Sequence, residues 1–381
     1  MSAVVAAPEW DRLASSRFYS TAAWTAVCAA SPGRRVERRL AHLDGEPACA
    51  APVTVFDAPP PASYDWSRVL GSFGLPAPPP AGVMVGAPAG FQTDFLVVPG
   101  VDETAAVRAF VAELRAGQPP AGAPGGGGAC VAMFLSSAGA RAAVAAGLAA
   151  PPVFVAADAW LEIPESGWEG WLAGLPPKRR RVVRAEVRAF ERAGHRIEHL
   201  ALGDCHEAIA PLAHQTDSRY GHTGTVAEHV EVFARQVAGM GDAARVTLCR
   251  DRDGHPVAYC LYYVAGDTQY LRGTGFDYGR LTGAGEYFTV AYYEQLRRAG
   301  ERGVRRIHAG LRTSVAKALR GAMLRPAWFV DLAEGSVLAG HADAVRRHNT
   351  GAYRQLASDP RTAAAVAEHD LWLGYAQSPG P

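Results

Sequence analysis

The chain has 381 residues, 49% hydrophobic and 20% charged, with a formal net charge of +1. That is enough apolar material for two ordinary cores. The near-neutral balance excludes a surface built as a whole for nucleic acid or an anionic membrane, so any such partner must be met by a local patch. No basic start leads into an apolar run, and no uninterrupted stretch of about 18 apolar residues occurs. The expectation is a cytoplasmic protein with no membrane partner. Six scattered cysteines without a CxxC pair read as free thiols in a reducing compartment. The histidines lack the HExxH spacing, so no metal site is expected.

The first half opens with a helix around Ser20 to Ala30. Val36–Leu43 and Ala50–Phe56 flank Asp44-Gly45, a hairpin signal. The prolines of 59–61 and 76–80 read as a long loop. Phe95–Val98 suits a strand and Glu103–Arg115 a helix, followed by a Gly/Pro linker from Gly117 to Gly128. Cys130–Leu135 reads as a strand, Ala138–Ala149 as a helix capped by Ser137, and Ala157–Ile163 as a strand.

The second half begins near Pro164. Pro177 and Gly194 bracket a helix with a buried stripe at Val183, Val187 and Phe190. A helix follows over Val226–Val237, then strands at Arg245–Arg250, Val257–Val264 and Gln269–Gly273. A Gly-rich loop leads into a helix over Glu286–Arg298. Next come a strand at Val304–Ala309, a short helix over Val315–Ala322, and a last strand, Ala327–Leu332, after Pro326. Two short helical pieces close the chain. The order implies an α/β protein of two mixed-sheet halves: residues 1–160, 161–335 and a helical tail, 336–381.

Four features could carry chemistry. Arg280-Leu281-Thr282-Gly283-Ala284-Gly285 lies between a strand and a helix. Gly283 and Gly285 permit a tight turn with successive N–H groups, and the helix start adds partial positive charge, which suits phosphate or an oxyanion. Its R-x-x-G-x-G spacing resembles the pyrophosphate loop of coenzyme-A-dependent acetyltransferases. Lys178, Arg179, Arg180 and Arg181 open a helix that continues with Arg184, Arg188 and Arg192. Cations at a helix start oppose its dipole, so a phosphate-bearing partner competes with a plain solvated face. His308, Arg312 and Lys317 follow the end of a strand, where α/β sheets place ligands. Lys317 and Arg312 could stabilise negative charge and His308 could act as a base. Asp217-Ser218-Arg219-Tyr220-Gly221-His222 reads as a loop in which Asp217 or His222 could deprotonate an amine, with helix capping by Asp217 or Ser218 as the alternative.

Trp168 to Arg181, Glu191-Arg192-Ala193-Gly194, Asp253 to Ala258, Arg280 to Gly283, and His308-Ala309-Gly310 through Lys317 to Gly321 together resemble FemAB-like acyltransferases of the GNAT superfamily. The resemblance implies a tandem GNAT-like fold. It also implies amide formation from aminoacyl-tRNA or acyl-CoA on a small amine or peptide, with no tightly bound cofactor and with tRNA as a partner. Lys317 matches the late lysine linked to transition-state stabilisation in FemX-like members. The chain has no long heptad arm of the kind some members carry. A non-catalytic binding protein on the same fold is the rival class.

Overall fold

The structure is a computed structural model and describes residues 7–117, 128–366 and 369–376. The interior of the expected Gly/Pro linker lies outside the described residues. The chain forms two compact units: residues 1–158, 311–314 and 323–381, and residues 159–310 and 315–322.

The first unit opens with α1 (Ala7–Ala14), α2 (Ala22–Ala29), β1 (Arg35–Leu43) and β2 (Glu46–Phe56). Asp44 and Gly45 both take positive φ, 53° and 86°, the turn whose twist matches an antiparallel pair. The proline-rich stretch holds α3 (Trp66–Ser72). Asp65 caps it by accepting the Arg68 N–H, and Trp66 and Leu70 are buried. Then come β3 (Gly82–Val85), β4 (Leu96–Val97), α4 (Glu103–Ala116), β5 (Ala129–Leu135), α5 (Ser137–Ala145) and β6 (Val153–Glu162). α4 starts where Asp102 accepts the Ala105 N–H at 2.8 Å. It buries Val107, Phe110, Val111 and Leu114 in a core shared with β1, β2 and β5.

The second unit takes up the end of β6 and continues with α6 (Gly167–Gly174), α7 (Pro177–Ala193), β7 (Arg196–Ala201), α8 (His206–Arg219) and α9 (Val226–Met240). The meander β8 (Arg245–Arg250), β9 (Pro256–Ala265) and β10 (Thr268–Phe276) follows. A continuous helical run comes next: α10 (Glu286–Phe288), a π-helical turn at Thr289–Tyr293, and α11 (Glu294–Ala299). β11 (Arg306–Gly310) and α12 (Ser314–Ala318) complete it. The strand order is β6-β11-β10-β9-β8-β7, antiparallel except for the parallel β10·β11 pair.

The chain then returns to the first unit as β12 (Met323–Asp331), α13 (Ala342–Ser358) and α14 (His369–Leu373). β12 is the strand the sequence placed at the end of the second half. It pairs instead with β5 through Trp328, Val330 and Asp331, and Pro326 sits inside the strand, ahead of the residues that pair with β5. α13 is a 17-residue helix rather than a short piece. Its Asn349 accepts the Phe154 N–H at 2.8 Å and donates to the Pro152 carbonyl at 2.9 Å. All six cysteines are free and buried. Burial pushes the Cys205 thiol up to about 11 and Cys130 to about 12, which makes them poor nucleophiles. Among the described residues no helix is long and apolar enough to cross a membrane.

Candidate active site

The second unit contains a parting of strands. β10 pairs with β11 only at Thr268, Gln269 and Tyr270. Beyond that point β10 runs on to Phe276 with β9 as its registered partner. A sheet whose strands separate leaves unpaired backbone groups facing one another, which can receive an extended ligand. At the strand end, Gly310 takes φ 78°. Its carbonyl accepts the Lys317 ammonium at 2.7 Å. Lys317 is 4% exposed, so its charge is held inside the fold at the end of β11. His308, on the same strand, is fully buried between Trp160 and Tyr270, with ring centroids at 4.7 and 5.4 Å. Arg312 belongs to the first unit, is exposed, and reaches the Ser63 hydroxyl at 3.4 Å.

The Gly-rich loop leaves from the end of β10. Gly283 and Gly285 take φ 74° and 82°, the left-handed region that glycine enters without strain. Glu286, 3% exposed, folds back to accept the Thr282 N–H and hydroxyl, each at 2.7 Å, and meets His195 Nε2 at 3.2 Å. Burial alone would raise the Glu286 carboxyl. Bonds from its own backbone N–H, from Thr282 and from His195 outweigh burial and hold it below the usual range. The loop is therefore fixed by a carboxylate it carries itself. Arg280 has a structural duty as well: its guanidinium meets Asp251 at 3.2 Å and Asp277 at 3.6 Å.

α7 abuts this loop. A Cβ on Gly285 would stand 3.3 Å from the Glu186 Cβ, and His195 follows Gly194, which ends the helix at φ 71°. α7 has two unlike faces. Val183, Glu186, Val187 and Phe190 turn inward, at i, i+3, i+4 and i+7. Glu186 accepts the Tyr293 hydroxyl and meets the Arg320 guanidinium at 3.2 Å through both oxygens. Arg320 also donates to Tyr293 at 3.2 Å and lies 3.0 Å from the Phe288 ring centroid. Tyr293 is the last residue of the π-helical turn, a feature that re-aims side chains and recurs at functional sites.

On the outward face Lys178, Arg181, Arg184, Arg188 and Arg192 are all exposed. None has an acidic partner among the described residues. The four-residue basic run divides: Arg179 falls on the inward row ahead of Glu186, and Arg180 donates to the Ala173 carbonyl at 2.6 Å.

Asp217 is not in a loop. α8 extends to Arg219, so Asp217 stands in its last turn and is 49% exposed. The sequence hid α8 because Pro211 lies inside it and its buried residues, Ile209, Ala210, Leu212 and Ala213, form one short apolar run rather than a stripe of helical spacing. α8 presses on β10 at Gly275, where a Cβ would collide with the Tyr259 ring and with the Leu212 and Ala213 backbone. Thr216 and Gln215 accept the N–H groups of Phe276 and Tyr278 at 3.0 and 3.1 Å. Sequence reasoning passed over His195, Glu186, Tyr293, His214 and His229. Two of them had a local signal: Glu186 stands at i+3 from Val183 on the stripe that the apolar spacing marks as buried, and Thr225-x-x-Glu228 is a capping box, which puts His229 in a first helical turn.

Residues 177–317 match the acetyltransferase (GNAT) domain family. No curated protein matches the chain in sequence. Among solved structures, FemX is 11% identical and superposes with a TM-score of 0.57 over 86% of this chain and 96% of its own. The C-terminal domain of a putative lysylphosphatidylglycerol synthetase from Agrobacterium fabrum is 12% identical, with a TM-score of 0.54 over 90% of this chain and 97% of that one. At these identities the shared property is the fold.

Proposed function

We propose that the protein is an acyltransferase that forms an amide bond, moving an aminoacyl group from aminoacyl-tRNA to the amine of a small molecule or peptide; the GNAT domain match over residues 177–317 and the fold shared with FemX support this reading. The observation that carries the donor reading is the outward face of α7, with five cations and no acidic partner beside the Gly-rich loop. Acids at i, i+4 would offset such cations; none stands at that spacing from these five, and Glu191, three residues after Arg188, makes no ion pair with them among the described residues.

In this reading the acyl ester lies in the gap between β10 and β11. Holding ester and amine in one orientation supplies much of the acceleration. The N–H groups around Gly283 and Gly285 face the phosphate end of the donor. Lys317 stabilises the negative charge that develops on the carbonyl oxygen, a contribution of about 2.7–4 kcal/mol for one such donor.

Filter binding of labelled total aminoacyl-tRNA, with coenzyme A as competitor, tests the donor. Replacing Arg181, Arg184, Arg188 and Arg192 with alanine should abolish binding. If each arginine neutralises one phosphate, wild-type affinity should fall roughly 50- to 150-fold between 50 and 200 mM salt. Binding that is absent at low salt overturns the tRNA donor. A second reading, an acyl-CoA donor, is favoured by the R-x-x-G-x-G loop and would appear as saturable coenzyme A binding that ignores the α7 variant.

A further inference from the structure

Helices α8 and α9 bring three titratable side chains together. His214 and Asp217 lie on successive turns of α8, and His229 lies in the first turn of α9, behind the Thr225–Glu228 capping box. His229 Nε2 faces Asp217 Oδ2 at 3.6 Å, and the His214 and His229 ring centroids are 6.2 Å apart. Nε2 is enclosed and makes no hydrogen bond, so Asp217 stands beside it as a charged neighbour beyond hydrogen-bond length. Nδ1 has no partner among the described residues, and the side chain keeps 15% exposure. The helix that carries His214 and Asp217 is fastened to the end of β10, the strand that parts from β11. Thr216 and Gln215, which flank His214 and Asp217, hold the end of β10, and Arg219 stacks at 4.5 Å on the ring of Tyr278, where the Gly-rich loop begins.

We propose that His229 is the proton acceptor for the amine and that Asp217 positions it; this rests on the amide-forming reading above. The nitrogen–carbon bond forms as the bond from the acyl carbon to its carrier oxygen or sulfur breaks, with that electron pair leaving on the carrier. The amine proton passes to His229 Nδ1 and is returned to the departing group, so the ring ends the cycle neutral. Asp217, 3.6 Å from Nε2, favours a proton on that nitrogen through its charge and leaves Nδ1 free to accept. The groups facing His229 are Asp217 and His214 from α8 and Glu228 from its own helix. Burial, assisted by His214, outweighs the two carboxylates and holds His229 below its ordinary value. A position in the first helical turn acts in the same direction. The ring is therefore neutral and able to take a proton at physiological pH.

The test uses the full chain with acetyl-coenzyme A and total aminoacyl-tRNA as donors and a mixture of amino acids and polyamines as acceptors. The donor that the wild type consumes is then followed against pH. His229→Gln should lower kcat about 100-fold, flatten the acid limb of kcat/KM, and leave acceptor KM and the melting temperature in place. Added imidazole should restore His229→Ala. Asp217→Asn should move the acid limb to lower pH, because the carboxylate that favours the protonated ring is gone. A His229→Gln enzyme that keeps its kcat and its acid limb overturns the proposal, as does a His229→Ala enzyme indifferent to imidazole. A wild type that consumes neither donor overturns the amide-forming reading itself, before any variant is made.

Discussion

Each unit contains a parallel pair of strands joined through a helix, and the two pairs end differently. In the first unit β3 and β5 stay in register from Gly82 and Ala129 to Val85 and Ala132. Thr93 then bridges to Leu135, taking the Phe134 carbonyl at 2.8 Å and giving its own carbonyl to the Ser136 N–H at 3.0 Å. The chain closes its own gap. In the second unit β10 and β11 part after Tyr270, and a buried lysine sits at the end of β11. The connecting helices differ too. The first begins with Asp102 and Glu103, whose charges satisfy the helix start. The second begins behind glycines, with its first carboxylate, Glu286, turned back onto Thr282 and His195. The same order of elements thus yields one sealed junction and one open one, and the chemistry is assigned to the open one.

The difference can be broken most forcefully at Lys317. Lys317→Ala should lower kcat by roughly 100- to 1000-fold with little change in acceptor KM, read by steady-state kinetics. Gly275→Ala attacks the packing that holds α8 on β10. A methyl group would stand 2.7 Å from the Leu212 carbonyl carbon, and overpacking of that kind costs about 1–3 kcal/mol in urea unfolding. Asp102→Ala in the sealed junction should lose about 1 kcal/mol from the lost helix cap and leave turnover unchanged. The smallest effect concerns Glu286. Its carboxyl lies below its ordinary value in the folded protein, so its stabilisation is complete above the ordinary glutamate range and is lost as pH falls through the depressed value. The stability gap between wild type and Glu286→Gln, compared at pH 7 and pH 3, should therefore shrink on acidification.

The parts legible in the sequence were those fixed locally. Asp44-Gly45 dictates its own hairpin, and Pro177 and Gly194 delimit α7 by what proline and glycine allow at helix ends. The β8–β10 meander is visible through its turns. β7 was missed because Arg196–Ala201 is an edge strand with no fully buried residue, so it shows no apolar alternation. β12 was recognised as a strand but placed in the second half, because its pairing with β5 joins residues nearly two hundred positions apart. The Gly-rich loop and Lys317 could be singled out from spacing and resemblance. That Arg280 would be engaged by Asp251 and Asp277 could not, nor that His229 would meet Asp217. These depend on contacts between separate elements, which no local pattern encodes.

The most direct test is donor consumption by the full chain. Labelled total aminoacyl-tRNA and acetyl-coenzyme A are incubated with a mixture of primary amines, and amide products are followed by mass spectrometry for wild type and Lys317→Ala. The account predicts amide formed at the expense of one donor by the wild type, with aminoacyl-tRNA the donor consumed, and a rate for the variant lower by about two orders of magnitude or more. Intact donors and no amide with either protein would contradict it, and would leave a binding protein on an acyltransferase fold.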